Sequence, residues 1–145
     1  MGKAEREFAD VAGLPWTGVT GSAVAGAGGA GIEEKVLSHD PETGDVTRLL
    51  RFAPGVRTSE TIAHDFWEEV YILEGSVVDL GLDRTFTAGM YACRPPGMKH
   101  GPYASPHGAL LFETRYHCSD GAATGSKRGW PVEVRPLGGG SPRAR

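Results

Sequence analysis

From Glu34 onward the chain keeps returning to one pattern, short runs rich in Val, Leu, Ile, Phe and Tyr that are cut apart by Gly, Pro or Asp. Runs of this length leave no room for helices, and their regular interruption predicts an all-β sandwich or barrel. The expected strands are EKVLSH (34–39), VTRLLRF (46–52), EEVYILE (68–74), SVVDL (76–80), RTFTA (84–88), MYACR (90–94), ALLFETRY (109–116) and PVEV (131–134). Ahead of them, AEREFADVA (4–12) has the spacing of a short amphipathic helix, and the Gly-, Ala- and Thr-rich stretch 13–31 reads as a loop or extended arm. The division expected is an N-terminal helix and arm over 1–33, a barrel over 34–136 and a disordered tail over 137–145, where apolar side chains are almost absent.

At 145 residues the chain has the size of one domain. A net charge of -3 supplies no basic surface for nucleic acid, and no apolar run approaches the roughly 20 residues of a membrane span. The N-terminus carries no apolar signal-peptide core, so a cytoplasmic protein is expected, with a small molecule and a second copy of the chain as its partners. A homodimer through residues 13–36 would cover the open strand edges that a small barrel leaves. Cys93 and Cys118 have neither zinc-like nor disulfide-framework spacing and read as reduced thiols. Gly26-x-Gly28-x-x-Gly31 has the spacing of a dinucleotide-binding turn. It lacks the strand before it and the crossover helix after it that such a turn requires.

Two segments carry chemistry. In the first, His64 and Glu68 stand four apart at the head of an alternating strand that ends at Gly75. Alternation places Glu68, Val70 and Ile72 on one face and Glu69 and Tyr71 on the other, so a carboxylate is directed inward with apolar neighbours. A buried carboxylate needs a cation, a protein one or a metal. In the second, Pro95, Pro96 and Gly97 end a strand and re-aim His100 from a rigid turn. On ALLFETRY, alternation puts Glu113, Arg115 and His117 on one face, without saying which face is the lumen.

These segments resemble the two motifs of the cupin superfamily, G-x5-H-x-H-x3-4-E-x6-G and G-x5-P-x-G-x2-H-x3-N. The second is matched from Gly89 through Pro95 and Gly97 to His100, with Ala104 at the place of the asparagine. The first is matched from His64 through Glu68 to Gly75, but Ile62 stands where the first histidine belongs, and the leading glycine, Gly55, is displaced by one residue. The resemblance implies an RmlC-like antiparallel β-barrel (a jelly roll, or double-stranded β-helix) with one divalent metal ion on His64, Glu68 and His100. Two histidines and a carboxylate match the facial triad of non-heme iron oxygenases, so Fe(II) is favoured, while Zn, Mn or Ni would also accept these ligands. Glu60, Glu113, His107 and His117 are alternative fourth ligands, each more simply read as exposed.

VTRLLRFAPG, followed by EEVYILEG and AGMYACRPPG, is similar to the subgroup holding the cupin half of zinc anti-sigma factors and the acetylacetone-cleaving dioxygenases. The helical zinc domain by which the anti-sigma factors bind their partner has no counterpart in the short segment before the barrel, so no sigma-binding role is expected. The activity implied is that of a metal-dependent enzyme on a small carbonyl or β-dicarbonyl compound, polyketide-like or aromatic. It would be a dioxygenase first, a non-redox cyclase or isomerase second. A non-catalytic binding or sensing barrel is the rival. Glu68 and Arg94 are the expected catalytic side chains, and Ile62, Phe66, Tyr91, Met98, Tyr103 and Arg115 the expected substrate wall.

Overall fold

The computed structural model describes residues 2–19 and 31–118. Nine strands follow one another: β1 (Thr17–Gly18), β2 (Ile32–His39), β3 (Val46–Phe52), β4 (Val56–Arg57), β5 (Trp67–Asp79), β6 (Arg84–Thr87), β7 (Tyr91–Arg94), β8 (Tyr103–Ser105) and β9 (Ala109–Tyr116). All pairings are antiparallel, in the order β1-β2-β3-β9-β5-β8-β4 with β6 and β7 also on β5. The result is a curled antiparallel sheet, all-β as the interrupted apolar runs predict. The strand expected at 131–134 and the tail at 137–145 lie outside the described residues.

Strand β5 organises the curl. Its first half pairs with β7 and β9, its second half with β6 and β8. The two expected strands 68–74 and 76–80 are therefore one, and Gly75 is its bend rather than a break. Gly75 has φ of +73°, and a Cβ there would meet the carbonyl oxygen of Gly108 at 2.1 Å. Only glycine lets β5 bend while still pairing with β9 across the fold.

Alternation along β5 runs as expected, with Glu68, Val70 and Ile72 buried and Tyr71 and Leu73 exposed. Register puts Ile72 beside Leu111 and Leu111 beside Leu50, so three strands feed one apolar layer with Ile32, Val56, Val77 and Ala109. Displaced two residues along the same strands, Val70 stands beside Glu113 and Glu113 beside Arg48. The lumen thus has an apolar end and a charged end, and the period of two carries one into the other.

The N-terminal helix expected over 4–12 is absent; the described residues contain no helix. Phe8, the large apolar residue of that segment, is fully exposed, so a helix there would have no face to bury, and so short a helix is marginal without one. The segment is an arm held from its far end. Buried Lys35 donates to the carbonyl oxygens of Val11 (2.9 Å) and Ala12 (3.2 Å), and Trp16 lies near both Lys35 and Arg51. The arm then joins the sheet as β1, and Val19 lies on the cavity described below.

Candidate metal centre

The charged end of the lumen gathers side chains from five places in the chain. The His64 ring projects from the loop before β5, Glu68 sits on the second residue of β5, and Arg94 ends β7 directly beside Glu68 in register. On its other side Glu68 is paired with Arg115 of β9. His100 is fixed by a two-way backbone bridge to Ile62, each N–H donating to the other's carbonyl at 3.0 Å. Gly97, with φ of +82°, turns the chain after Pro95–Pro96 and donates to the carbonyl of His64 at 2.8 Å, tying the two histidine loops together.

His64 Nε2 and His100 Nε2 lie 3.1 Å apart, and Glu68 Oε2 is 3.5 Å from the first and 3.8 Å from the second. Ligand atoms about 2.1 Å from one ion at tetrahedral or octahedral angles stand about 3.0–3.4 Å apart; the histidine pair has that spacing, and a small inward shift of Glu68 would let all three share one ion. Each imidazole is oriented through its other nitrogen. His64 Nδ1 donates to the Phe66 carbonyl oxygen at 2.9 Å, which leaves Nε2 to face Glu68 and His100, and His100 Nδ1 is 3.0 Å from the Tyr103 hydroxyl. Such second contacts are what a ligating histidine needs, and the donor set can hold a divalent ion. Among the described residues the cluster stops at three. Glu60 and His107 are exposed, and His117 is engaged by Asp45 at 2.7 Å.

Electrostatics keep Glu68 and His100 in the forms that ligation requires. Burial pushes the Glu68 carboxyl up, but the charge and hydrogen bond of Arg94 (2.6 Å), with Arg115 and His100 beyond it, override burial and hold its pKa below the usual value. Arg94 takes one lone pair of Oε2 and leaves the other. Burial, reinforced by Arg94, lowers His100 to about 4, so its imidazole is neutral near neutrality, as a metal ligand must be.

Behind this cluster lies a layer built on Arg48, which sequence reasoning missed. Arg48, only 6% exposed, donates to Glu113 at 2.8 Å and also binds Glu34. Glu113, expected to be exposed, is 3% exposed, because β9 turns its Glu113–Arg115 face inward. Arg115 Nε is 2.6 Å from Glu113 Oε1 with its N–H angled away from that oxygen, an ion pair without a hydrogen bond, and Arg115 Nη2 is 3.4 Å from Glu68 Oε1. Burial raises the Glu113 pKa against the pull of Arg48. Alternation alone left the inward face of β9 open; the pairing of Glu113 with Arg48 is the signal that decides it.

A cavity of about 680 Å³ runs from this cluster into the apolar layer. Ile62, Arg94, Met98, His100, Tyr103 and Arg115 all line it, Met98 from the half-exposed turn at the mouth. Two expected wall residues are placed differently. Phe66 is not on the cavity; it stacks flat against His64, ring centroids 4.0 Å apart, with Arg115 on the ring 4.9 Å from its centre. Tyr91 is 60% exposed and contributes only to the rim, since on β7 it is Ala92 and Arg94 that turn inward.

This geometry meets a family that the sequence matches independently: residues 6–119 fit the ChrR cupin-like domain. The chain belongs to that family. Solved structures with the same fold include an RmlC-like cupin from Shewanella frigidimarina (21% identity, TM-score 0.60, covering 83% of this chain and 97% of that one). An acetylacetone dioxygenase from Acinetobacter johnsonii is similar at 18% identity and TM-score 0.61, covering 81% of this chain and 80% of that one. A polyketide cyclase from Streptomyces resistomycificus is similar at 16% identity and TM-score 0.59, covering 77% of this chain and 80% of that one. At such identities the likeness speaks for the fold. No curated protein matches the chain. Among the described residues no helix is long and apolar enough to cross a membrane.

Proposed function

We propose that this cupin is a metal-dependent enzyme acting on a small carbonyl compound that ionises to an enolate, a β-dicarbonyl of polyketide-like or aromatic kind, with oxygenation as the reaction. The observation that carries the reading is the convergence of His64, Glu68 and His100 at one end of an apolar cavity, with Arg94 and Arg115 beside them. Arg94 and Arg115 both stand on Glu68, and behind them Arg48 is held by Glu113 and Glu34. Guanidinium groups beside the ligand atoms favour an anion there, and an enolate forms where such charge stabilises it. A divalent ion held by His64, Glu68 and His100 would supply Lewis acidity toward a carbonyl oxygen and a place for dioxygen.

The chain's own residues do the rest. Arg94 and Arg115, both anchored on Glu68, are placed to balance the enolate's charge without moving. Ile62 puts an aliphatic wall where the superfamily motif has a histidine, leaving an additional coordination position for a two-toothed ligand. The apolar layer of Leu50, Val70, Ile72 and Leu111 excludes water from the body of the substrate. A cavity of about 680 Å³ suits a molecule of drug-like size or smaller. The likeness to a dioxygenase and to a cyclase supports a carbonyl substrate and leaves the redox outcome to experiment.

The test is an oxygen-electrode assay of protein reconstituted separately with Fe(II), Mn(II), Ni(II) and Zn(II) against a panel of β-dicarbonyls. Oxygen uptake that requires the metal supports the reading. Anaerobic conversion would replace oxygenation with cyclisation or isomerisation, and binding without turnover of any panel member would make the protein a binding module.

A further inference from the structure

We infer that Tyr103 is a hydrogen-bond donor to the substrate that is switched on by the metal: an ion on His100 turns the Tyr103 O–H away from His100 and into the cavity. The inference rests on the metal reading above and concerns a side chain that does not itself coordinate.

The argument is a count of protons and lone pairs. The Tyr103 hydroxyl has one hydrogen and two lone pairs. It stands 3.0 Å from Arg94 Nη2 and 3.0 Å from His100 Nδ1. Arginine can only donate, so one lone pair of the phenol is always taken. In the metal-free site the two Nε2 atoms, 3.1 Å apart, share one hydrogen bond. His64 donates through Nδ1 to the Phe66 carbonyl, so when that ring is neutral its Nε2 accepts, and the hydrogen between the rings belongs to His100 Nε2. His100 Nδ1 is then an acceptor, and the Tyr103 O–H points at it. Every group is satisfied and the phenol offers the cavity nothing.

An ion on His100 Nε2 excludes that hydrogen. A neutral imidazole must then carry its hydrogen on Nδ1, which donates to Tyr103. Now Arg94 and His100, with the backbone N–H of Gly101, take up the phenol lone pairs, and the O–H has no protein acceptor left within this network. Tyr103 lines the cavity, and a phenol keeps its proton near neutrality. Its O–H faces the cavity beside the open coordination positions, where an enolate or carbonyl oxygen would accept it. The site is thereby ordered: its neutral donor becomes available only when the ion is in place, and a ligand oxygen that satisfies the phenol in turn strengthens the loaded state, as linkage requires.

The experiment uses the whole chain, Zn(II) as a diamagnetic ion, acetylacetone as the probe, and the variant Tyr103→Phe. Side-chain nitrogen NMR of the wild type should show the His100 hydrogen on Nε2 without metal and on Nδ1 with Zn(II). Acetylacetone should bind Zn(II)-loaded Tyr103→Phe about 10- to 100-fold more weakly than loaded wild type, the loss of one hydrogen bond to a charged acceptor. Zn(II) itself should be held about 10- to 100-fold more weakly by the variant, because His100 Nδ1–H loses its acceptor. A wild-type protein that takes up no Zn(II) overturns the metal reading and this inference with it. Zn(II) uptake with His100 unprotonated at Nδ1, or with probe affinity unchanged by Tyr103→Phe, overturns this inference alone. If Tyr103→Phe does not fold, the wild-type tautomer measurement still decides against it.

Discussion

Replacing Arg48 with methionine removes the cation that three elements share. Glu113 is then left 3% exposed with only Arg115 beside it, and Glu34 loses its partner at the rim. Breaking one side of a buried ion pair costs about 3–5 kcal/mol, because the surviving charge stays desolvated. At about 2–4 °C per kcal/mol for a chain of this size, Arg48→Met should melt on the order of 10 °C below wild type. Arg48→Met combined with Glu113→Leu removes both charges and fills their volume, which for buried pairs is often neutral or stabilising. The double variant should therefore lie within about 1–2 kcal/mol of wild type. Burial already holds the Glu113 pKa above its unfolded value, and losing Arg48 raises it further. A raised acid binds its proton more readily in the folded state, so stability falls as pH rises through that window and the deficit of Arg48→Met should narrow as pH is lowered. Urea unfolding of the four proteins at two pH values measures all of this. Single-variant losses that simply add in the double variant would refute the claim that Arg48 and Glu113 are a coupled buried pair.

Three further outcomes follow. His100, depressed to about 4, should cost metal-free protein stability as pH falls from about 6.5 toward 4, since the unfolded chain takes up the proton first; because the raised Glu113 acts with the opposite sign, the check is thermal melting of wild type beside His100→Gln, and a difference between them that does not change over this range would contradict it. Gly75→Ala should cost more than about 3 kcal/mol, as its Cβ would sit 2.1 Å from the Gly108 carbonyl at a positive φ; a change below about 1 kcal/mol in urea would mean β5 does not bend there. Ile62→His restores the superfamily's fourth ligand and should raise metal retention through dialysis while lowering turnover, read by metal analysis beside the oxygen electrode.

The parts legible in sequence are those where local chemistry and fold agree. The alternation of EEVYILE placed Glu68 inward, and proline and glycine spacing brought His100 round to it. The misreadings share a physical origin. The amphipathic spacing of 4–12 lacks a surface to pack on, and the sheet draws the chain instead through Lys35, 23 and 24 residues away from the carbonyls it holds. Strands β4 and β8, two and three residues long, are too short to show a period. Gly75 looks like a turn because glycine marks both turns and bends, and only the continuous pairing of β5 with β9 separates them. Glu113 reads as surface because a charged residue usually is; its burial depends on Arg48, 65 positions earlier, and no local pattern reports that pairing.

The central claim is that His64, Glu68 and His100 hold one divalent ion. Zn(II) titration of the metal-free chain in competition with a chromogenic chelator tests it most directly, in wild type and in His64→Ala, Glu68→Ala and His100→Ala, with circular dichroism to confirm that each variant is folded. The account predicts one tight site per wild-type chain and at least a hundredfold loss of affinity in each variant, on the order of 3 kcal/mol per ligand. A folded His100→Ala protein that binds Zn(II) as tightly as wild type, or a wild-type chain that takes up none, would contradict it.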